Sequence, residues 1–148
     1  MTRVLVLQGP NLDLLGSREP EIYGHETLDE IHAGIARRAD ELGLVVDFYQ
    51  SNHEGALIDR IHLRDFHVAI VNAGGLTHTS VALRDALLGV ARPFVEVHLT
   101  DPSTREAFRQ VNFLHDIAFE SIVGQGPRGY TLALESIDRR VAAGELPR

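Results

Sequence analysis

The sequence predicts an α/β protein in which one parallel sheet is covered by helices on both faces. Three observations predict it. Short apolar runs of strand length alternate with stretches whose apolar residues recur every three or four positions. Most connections between them are brief. No internal repeat or linker interrupts the 148 residues, about one domain's worth of chain. Such alternation implies parallel strands joined by helical crossovers. For five strands we expect a flavodoxin-like three-layer sandwich with a five-stranded parallel sheet in the order 2-1-3-4-5. Its ligand site should lie outside the carboxyl ends of strands 1, 3 and 4.

Val4-Leu5-Val6-Leu7 is a continuous apolar run closed by Gly9-Pro10, as suits a strand buried on both faces. Residues 9–25 contain two prolines and three glycines and read as one long loop. Loops of that length in compact domains are usually functional or disordered. Thr27-Leu28-Asp29-Glu30 has capping-box spacing. It opens a helix with Leu28, Ile31, Ile35, Ala39 and Leu42 on one face, stopped by Gly43. Residues 44–49 predict the second strand. Ser51-Asn52-His53-Glu54 repeats the capping-box spacing before a helix carrying Leu57, Ile58 and Ile61. Residues 67–71 predict the third strand, closed by Asn72-Ala73-Gly74-Gly75, and residues 80–88 the third helix. Residues 93–97 predict the fourth strand. Asp101-Pro102 pairs an N-cap residue with proline at the first helical position, so a short helix is expected to run to about Val111. Residues 117–123 are a weaker fifth strand, and residues 130–143 the last helix.

Composition narrows the chemistry. Hydrophobic residues at 44% and charged residues at 24% are ordinary for a globular domain and exclude disorder or fibre. There is no cysteine, which excludes disulfides, Cys-ligated zinc, iron–sulfur clusters and thiol nucleophiles. All 14 basic residues are arginine. Schiff-base chemistry, lysine-anchored pyridoxal phosphate and a P-loop lysine are thereby excluded. The net charge of −7 counts against a nucleic-acid partner. No apolar run approaches the ~20 residues of a membrane span. Thr2-Arg3 leads straight into a strand rather than a signal-peptide pattern, so a cytoplasmic location is expected.

Polar residues gather where strands 1, 3 and 4 should end: Asn11, then Asn72 with Gly74-Gly75-Leu76-Thr77-His78, then Glu96-Val97-His98-Leu99-Thr100. Glu96 and His98 are two apart on a strand and share a face. A carboxylate beside an imidazole favours its cationic form and suits a general acid. The same spacing also suits a strand-end histidine merely satisfied by its neighbour. Tyr23 follows Arg18 in the first loop, and a guanidinium beside a phenol favours the phenolate. That makes Tyr23 a candidate base in a chain without lysine or cysteine; an exposed loop pair of no consequence fits as well. Arg105 and Arg109 are four apart, on one face of the expected helix. They suit either ligand oxygens or Glu106 and Asp101. Gly124-Gln125-Gly126-Pro127-Arg128-Gly129 matches G-x-G-x-x-G, but no strand follows it, so it reads as a tight turn. His25, His32, His53, His62, His67 and His115 are scattered without metal-ligand spacing and read as surface or packing residues.

Longer motifs carry a family resemblance. Gly9-Pro10-Asn11-Leu12 and residues 15–24, Leu-Gly-Ser-Arg-Glu-Pro-Glu-Ile-Tyr-Gly, resemble the first signature of type II 3-dehydroquinate dehydratases. Gln50-Ser51-Asn52-His53-Glu54-Gly55 resembles the second, and Asn72 through Ala86 the third. Glu96-Val97-His98-Leu99 with Arg105-Glu106 and Phe108-Arg109 resembles the fourth; Gly124-Gln125-Gly126 with Gly129-Tyr130 matches the tail. The resemblance spans nearly the whole chain as a single catalytic domain.

The resemblance implies an anti elimination of water from 3-dehydroquinate through an enolate, giving 3-dehydroshikimate, with no metal or cofactor. The reaction serves the shikimate pathway or quinate breakdown. By the same resemblance Tyr23 is the base and Arg18 activates it. His98, beside Glu96, is the acid, and Asn11 holds a water at the enolate oxygen. Asn72 and the amides of Leu99 and Thr100 bind the substrate carboxylate, and His78 and Arg109 bind ring hydroxyls. Asp85 reaches a neighbouring subunit's site in a dodecamer built from trimers. Residues 16–25 form a lid. Three stretches depart from the family pattern. Gln8 stands where Asn is usual, Asp101-Pro102-Ser103-Thr104 replaces an Asn-x-His-x run, and Gln110-Val111-Asn112-Phe113 replaces a stretch ending in Ser-Tyr.

Overall fold

Alternation along β1 (Arg3–Gln8) sorts its side chains between two cores. In the computed structural model, which describes residues 1–148, Val4 and Val6 pack on one helical layer and Leu5 and Leu7 on the other. β3 (Val68–Asn72) and β4 (Phe94–His98) divide their residues likewise, and both are buried throughout. β2 (Val45–Gln50) and β5 (Glu120–Val123) are the edges. The sheet order is β2-β1-β3-β4-β5 and every pairing is parallel, as the alternation of elements predicts.

One layer holds α2 (Leu28–Leu42) and α5 (Arg128–Ala142), which bury Ile31, Ile35, Leu134 and Ile137. The other holds α3 (Glu54–His62) and α4 (Val81–Val90), which bury Leu57, Ile61, Leu83 and Leu87. The Thr27–Glu30 capping box of α2 forms as the spacing predicts, and Gly43 ends that helix at φ 72°. No helix is long and apolar enough to cross a membrane.

The strand register gathers the polar exits. Gln8 lies between Gln50 of β2 and Asn72 of β3, and Val71 sits beside Glu96 of β4. The loops leaving β1 and β3 then press together. A Cβ on Gly9 would stand 2.3 Å from the Ala73 carbonyl oxygen, and one on Gly74, at φ +58°, would stand 3.0 Å from the Pro10 carbonyl oxygen. Only glycine permits that approach.

Several local expectations are corrected. Residues 101–111 form no single helix. Two 3-10 turns, Pro102–Thr104 and Ala107–Gln110, flank an extended Arg105 (φ −108°, ψ −152°). Arg105 and Arg109 therefore share no helical face. Asp101 caps the first turn, accepting from the Ser103 amide, but Glu106 accepts from the Arg109 side chain and starts a new turn. Ser51 forms no capping box. Its hydroxyl accepts from the His53 amide at 3.0 Å, a local turn that competes with capping, and α3 begins at Glu54. The long first loop contains a one-turn helix, α1 (Pro20–Tyr23), entered through Glu19 at φ 40°. β5 begins only at Glu120, and α5 starts two residues earlier than expected.

Candidate active site

A cavity of about 140 Å³ opens beyond the carboxyl ends of β1, β3 and β4. Pro10, Asn11 and Leu12 supply one wall, Asn72, Gly74, Gly75 and His78 the second, and His98, Leu99 and Thr100 the third. Arg18 and Tyr23 from the first loop and Arg105 and Arg109 from the 3-10 turns complete it. Three arginines line the cavity and no carboxylate does. In a chain of net charge −7 that concentration of cations suits an anionic ligand.

Tyr23 stands among guanidinium groups. Arg105 Nη1 donates to its hydroxyl oxygen at 2.6 Å, and the Arg18 Cζ lies 4.8 Å from the ring centroid. The sequence suggests Arg18 as the phenol's cation. In the structure Arg18 covers the ring while Arg105 holds the oxygen. No sequence signal links Arg105 to Tyr23, since 82 residues separate them. On the opposite wall, His98 Nε2 donates to Glu96 Oε2 at 2.6 Å. Glu96 is 1% exposed and also accepts from Asn112 Nδ2 at 2.6 Å and Ser121 Oγ at 2.7 Å. Burial pushes its carboxyl up, but the bonds and charge of His98 and the bonds from Ser121 and Asn112 outweigh that and hold it down at about 2. A carboxylate so held fixes the orientation of the His98 ring.

Asn72 is oriented from behind. Its Nδ2 donates to Tyr130 Oη at 2.9 Å, and its Oδ1 accepts from the Gly74 amide at 3.2 Å. Tyr130 donates to Gln8 Oε1 at 2.8 Å. Burial pushes the Tyr130 hydroxyl up to about 12, against the pull of those two bonds, so it stays neutral. Gln8 Nε2 reaches His32 Nε2 at 3.3 Å, and burial lowers His32 against the field of Asp29, leaving that nitrogen free to accept. Gln8 and Tyr130 are fully buried, and neither shows a local motif that would mark it as a support for Asn72.

Ten of the sequence candidates line the cavity: Asn11, Arg18, Tyr23, Asn72, His78, His98, Leu99, Thr100, Arg105 and Arg109. Glu96 lies directly behind His98. Asp85 lies outside the cavity, exposed on α4. The glycine motif at residues 124–129 forms the tight turn expected. Its Gly124 and Gly126 amides donate to the carbonyls of His98 and Leu99, so it holds the β4 exit.

The family model for class II dehydroquinase matches residues 2–138. The chain belongs to the class II dehydroquinase family. A 3-dehydroquinate dehydratase of Francisella tularensis subsp. novicida is 52% identical over 131 residues, covering 88% of this chain and 90% of that protein. The type II dehydroquinase of Propionibacterium acnes superposes with a TM-score of 0.89 at 35% identity, covering 94% of this chain and 97% of that one. That of Butyrivibrio crossotus gives 0.89 at 38% identity, covering 93% and 97%. Membership in the class II dehydroquinase family makes the chain a hydro-lyase, a class of enzyme that adds or removes water.

Proposed function

We propose that this chain dehydrates 3-dehydroquinate to 3-dehydroshikimate by anti elimination through an enolate. One observation carries the reading: a phenol under guanidinium groups and a carboxylate-held imidazole converge on one small cationic cavity. A proton beside a ketone is only moderately acidic, and a β-hydroxyl is a poor leaving group. The reaction needs a strong base, an electrophilic clamp for the enolate oxygen, and an acid.

Tyr23, as the phenolate, takes the C2 proton, and the C2–H electron pair moves into the enolate. Arg105 and Arg18 stabilise the negative phenol oxygen by charge. Asn11 holds a water at the enolate oxygen. As the enolate collapses, the C1–O bond breaks, and His98 gives its proton to the departing hydroxyl, which leaves as water. Glu96 keeps His98 oriented beforehand. Asn72 and the amides of Leu99 and Thr100 receive the substrate carboxylate, and His78 and Arg109 the ring hydroxyls. His78 has support for that role, because its Nδ1 meets the Val111 carbonyl at 2.6 Å, which fixes the ring.

Residues 16–25 act as a lid that brings Arg18 and Tyr23 over substrate and excludes water. By family likeness the chain assembles as trimers in a dodecamer, with Asp85 reaching a neighbour's cavity; light scattering of the purified protein tests the mass. The activity test adds purified protein to 3-dehydroquinate and follows the ultraviolet absorbance of the conjugated enone, with a chelator as control. Substrate deuterated stereospecifically at C2 tests the geometry. Anti elimination removes the deuterium opposite the C1 hydroxyl and retains the other.

A further inference from the structure

Glu96 has a second imidazole on its far side. His115 lies in the loop before β5 and is 71% exposed, and its Nδ1 stands 3.5 Å from Glu96 Oε1 and 3.0 Å from Ser121 Oγ. Ser121 has a single proton, which it gives to Glu96 Oε1 at 2.7 Å. Its oxygen must therefore accept from His115, so His115 carries hydrogen on Nδ1 in either charge state. Protonation is then decided at Nε2.

The loop is built to hold this arrangement. Asn112 donates to Glu96 Oε2 through Nδ2, and its Oδ1 accepts from the amides of Leu114 at 2.8 Å and His115 at 3.0 Å. One side chain thus anchors both the carboxylate and the backbone that presents His115. Arg84 of α4 pins the loop further, donating to the Phe113 carbonyl and to Asp116.

We propose that His115 is a positioning residue for the acid step: through Ser121 and Glu96, its charge governs how tightly His98 holds the proton it gives to the leaving hydroxyl. The proposal rests on the dehydratase reading above. Glu96 offers one negative charge to two imidazoles. When His115 is charged, it draws on the carboxylate field that otherwise stabilises charged His98, and His98 gives up its proton more readily. When His115 is neutral, Glu96 serves His98 alone. The other charges nearby are largely committed. Asp116, beside His115, is bound by Arg84. Glu120 turns to Ser136 and Arg140 on the other face of the sheet. On the cavity side His98 shares space with His78, Tyr23, Arg18, Arg105 and Arg109, and it acts on Asp101.

The test compares His115→Gln, a neutral N–H donor, with His115→Arg, a permanent cation. Each is titrated by long-range proton–nitrogen correlation of the His98 ring, and each is assayed for kcat and KM across pH. The His98 ring titration and the alkaline limb of kcat should lie at lower pH in His115→Arg, where the second charge is permanent, than in His115→Gln, where it is absent. KM should be the same in the two variants. Coincident curves for the two variants, or the reverse order, would overturn the proposal. The ring titration needs no turnover. The expected order of the two variants in a protein inert toward 3-dehydroquinate would therefore sink the dehydratase reading and leave the linkage standing.

Discussion

The hydroxyl oxygen of Tyr23 accepts a 2.6 Å hydrogen bond from Arg105, a residue 82 positions further along the chain. The bond joins the first loop to the turn between the two 3-10 segments. With Arg18 over the ring, the phenol faces two cations. Removing the phenol oxygen should separate chemistry from binding. Tyr23→Phe is expected to lower kcat by about 10³-fold, as for loss of a general base, with substrate affinity within a few-fold of the parent. Turnover assays and calorimetric binding read the two quantities, and near-parental kcat would remove Tyr23 from the mechanism.

Arg105→Ala deletes the donor at the phenol oxygen. The expected loss in kcat/KM is about 100-fold, the scale of removing one preorganised donor to a negative oxygen. Arg105→Lys should recover only part of it, because an ammonium cannot both reach the oxygen and lie along the ring as a planar guanidinium does. Steady-state kinetics of the pair checks this.

Tyr130→Phe leaves a buried Gln8 carbonyl and a buried Asn72 N–H without their partner. We expect a stability loss of about 1–3 kcal/mol by denaturant unfolding. We also expect a raised KM, because Asn72 loses the bond that orients its amide.

Glu96 predicts a pH signature. Its folded carboxyl sits at about 2, below the ordinary 4.5, so its contribution to stability is fully present above about pH 4.5 and is lost as pH falls toward 2. A depression of that size corresponds to about 3 kcal/mol. Glu96→Gln should be less stable than the parent by that order at pH 6, and the gap should close as pH approaches 2. Denaturant melts at both ends of the range measure it.

Gly9→Ala places a methyl group 2.3 Å from the Ala73 carbonyl oxygen, a backbone atom that cannot turn aside. A loss of about 2 kcal/mol is expected, together with reduced turnover, because the exits of β1 and β3 must part. Thermal melts and activity of this variant beside Gly55→Ala, where a Cβ meets nothing within 4 Å, provide the comparison.

Much of the fold is legible because its causes are local. The apolar run of β1, the Thr27–Glu30 box and Gly43 act within a few residues, and each element forms where its signal lies. Misreadings arise where local signals compete. Asp101-Pro102 announces a helix, yet Glu106 and Arg109 satisfy each other and the segment breaks at Arg105. Ser51 has capping spacing, but its oxygen is taken by the His53 amide.

The amino-acid order alone determined the alternating α/β plan, the parallel sheet, the exclusion of lysine and thiol chemistry, and the family-bearing motifs at three strand exits. These follow from periodicity, residue chemistry and contiguous patterns, all carried by neighbours in the chain. Tertiary structure decided which groups meet: Arg105 with Tyr23, Tyr130 and Gln8 behind Asn72, and Ser121 and His115 on Glu96. The reason is physical. A hydrogen bond forms over about 3 Å of space whatever the length of chain between its partners, and only strand register and loop packing fix that distance.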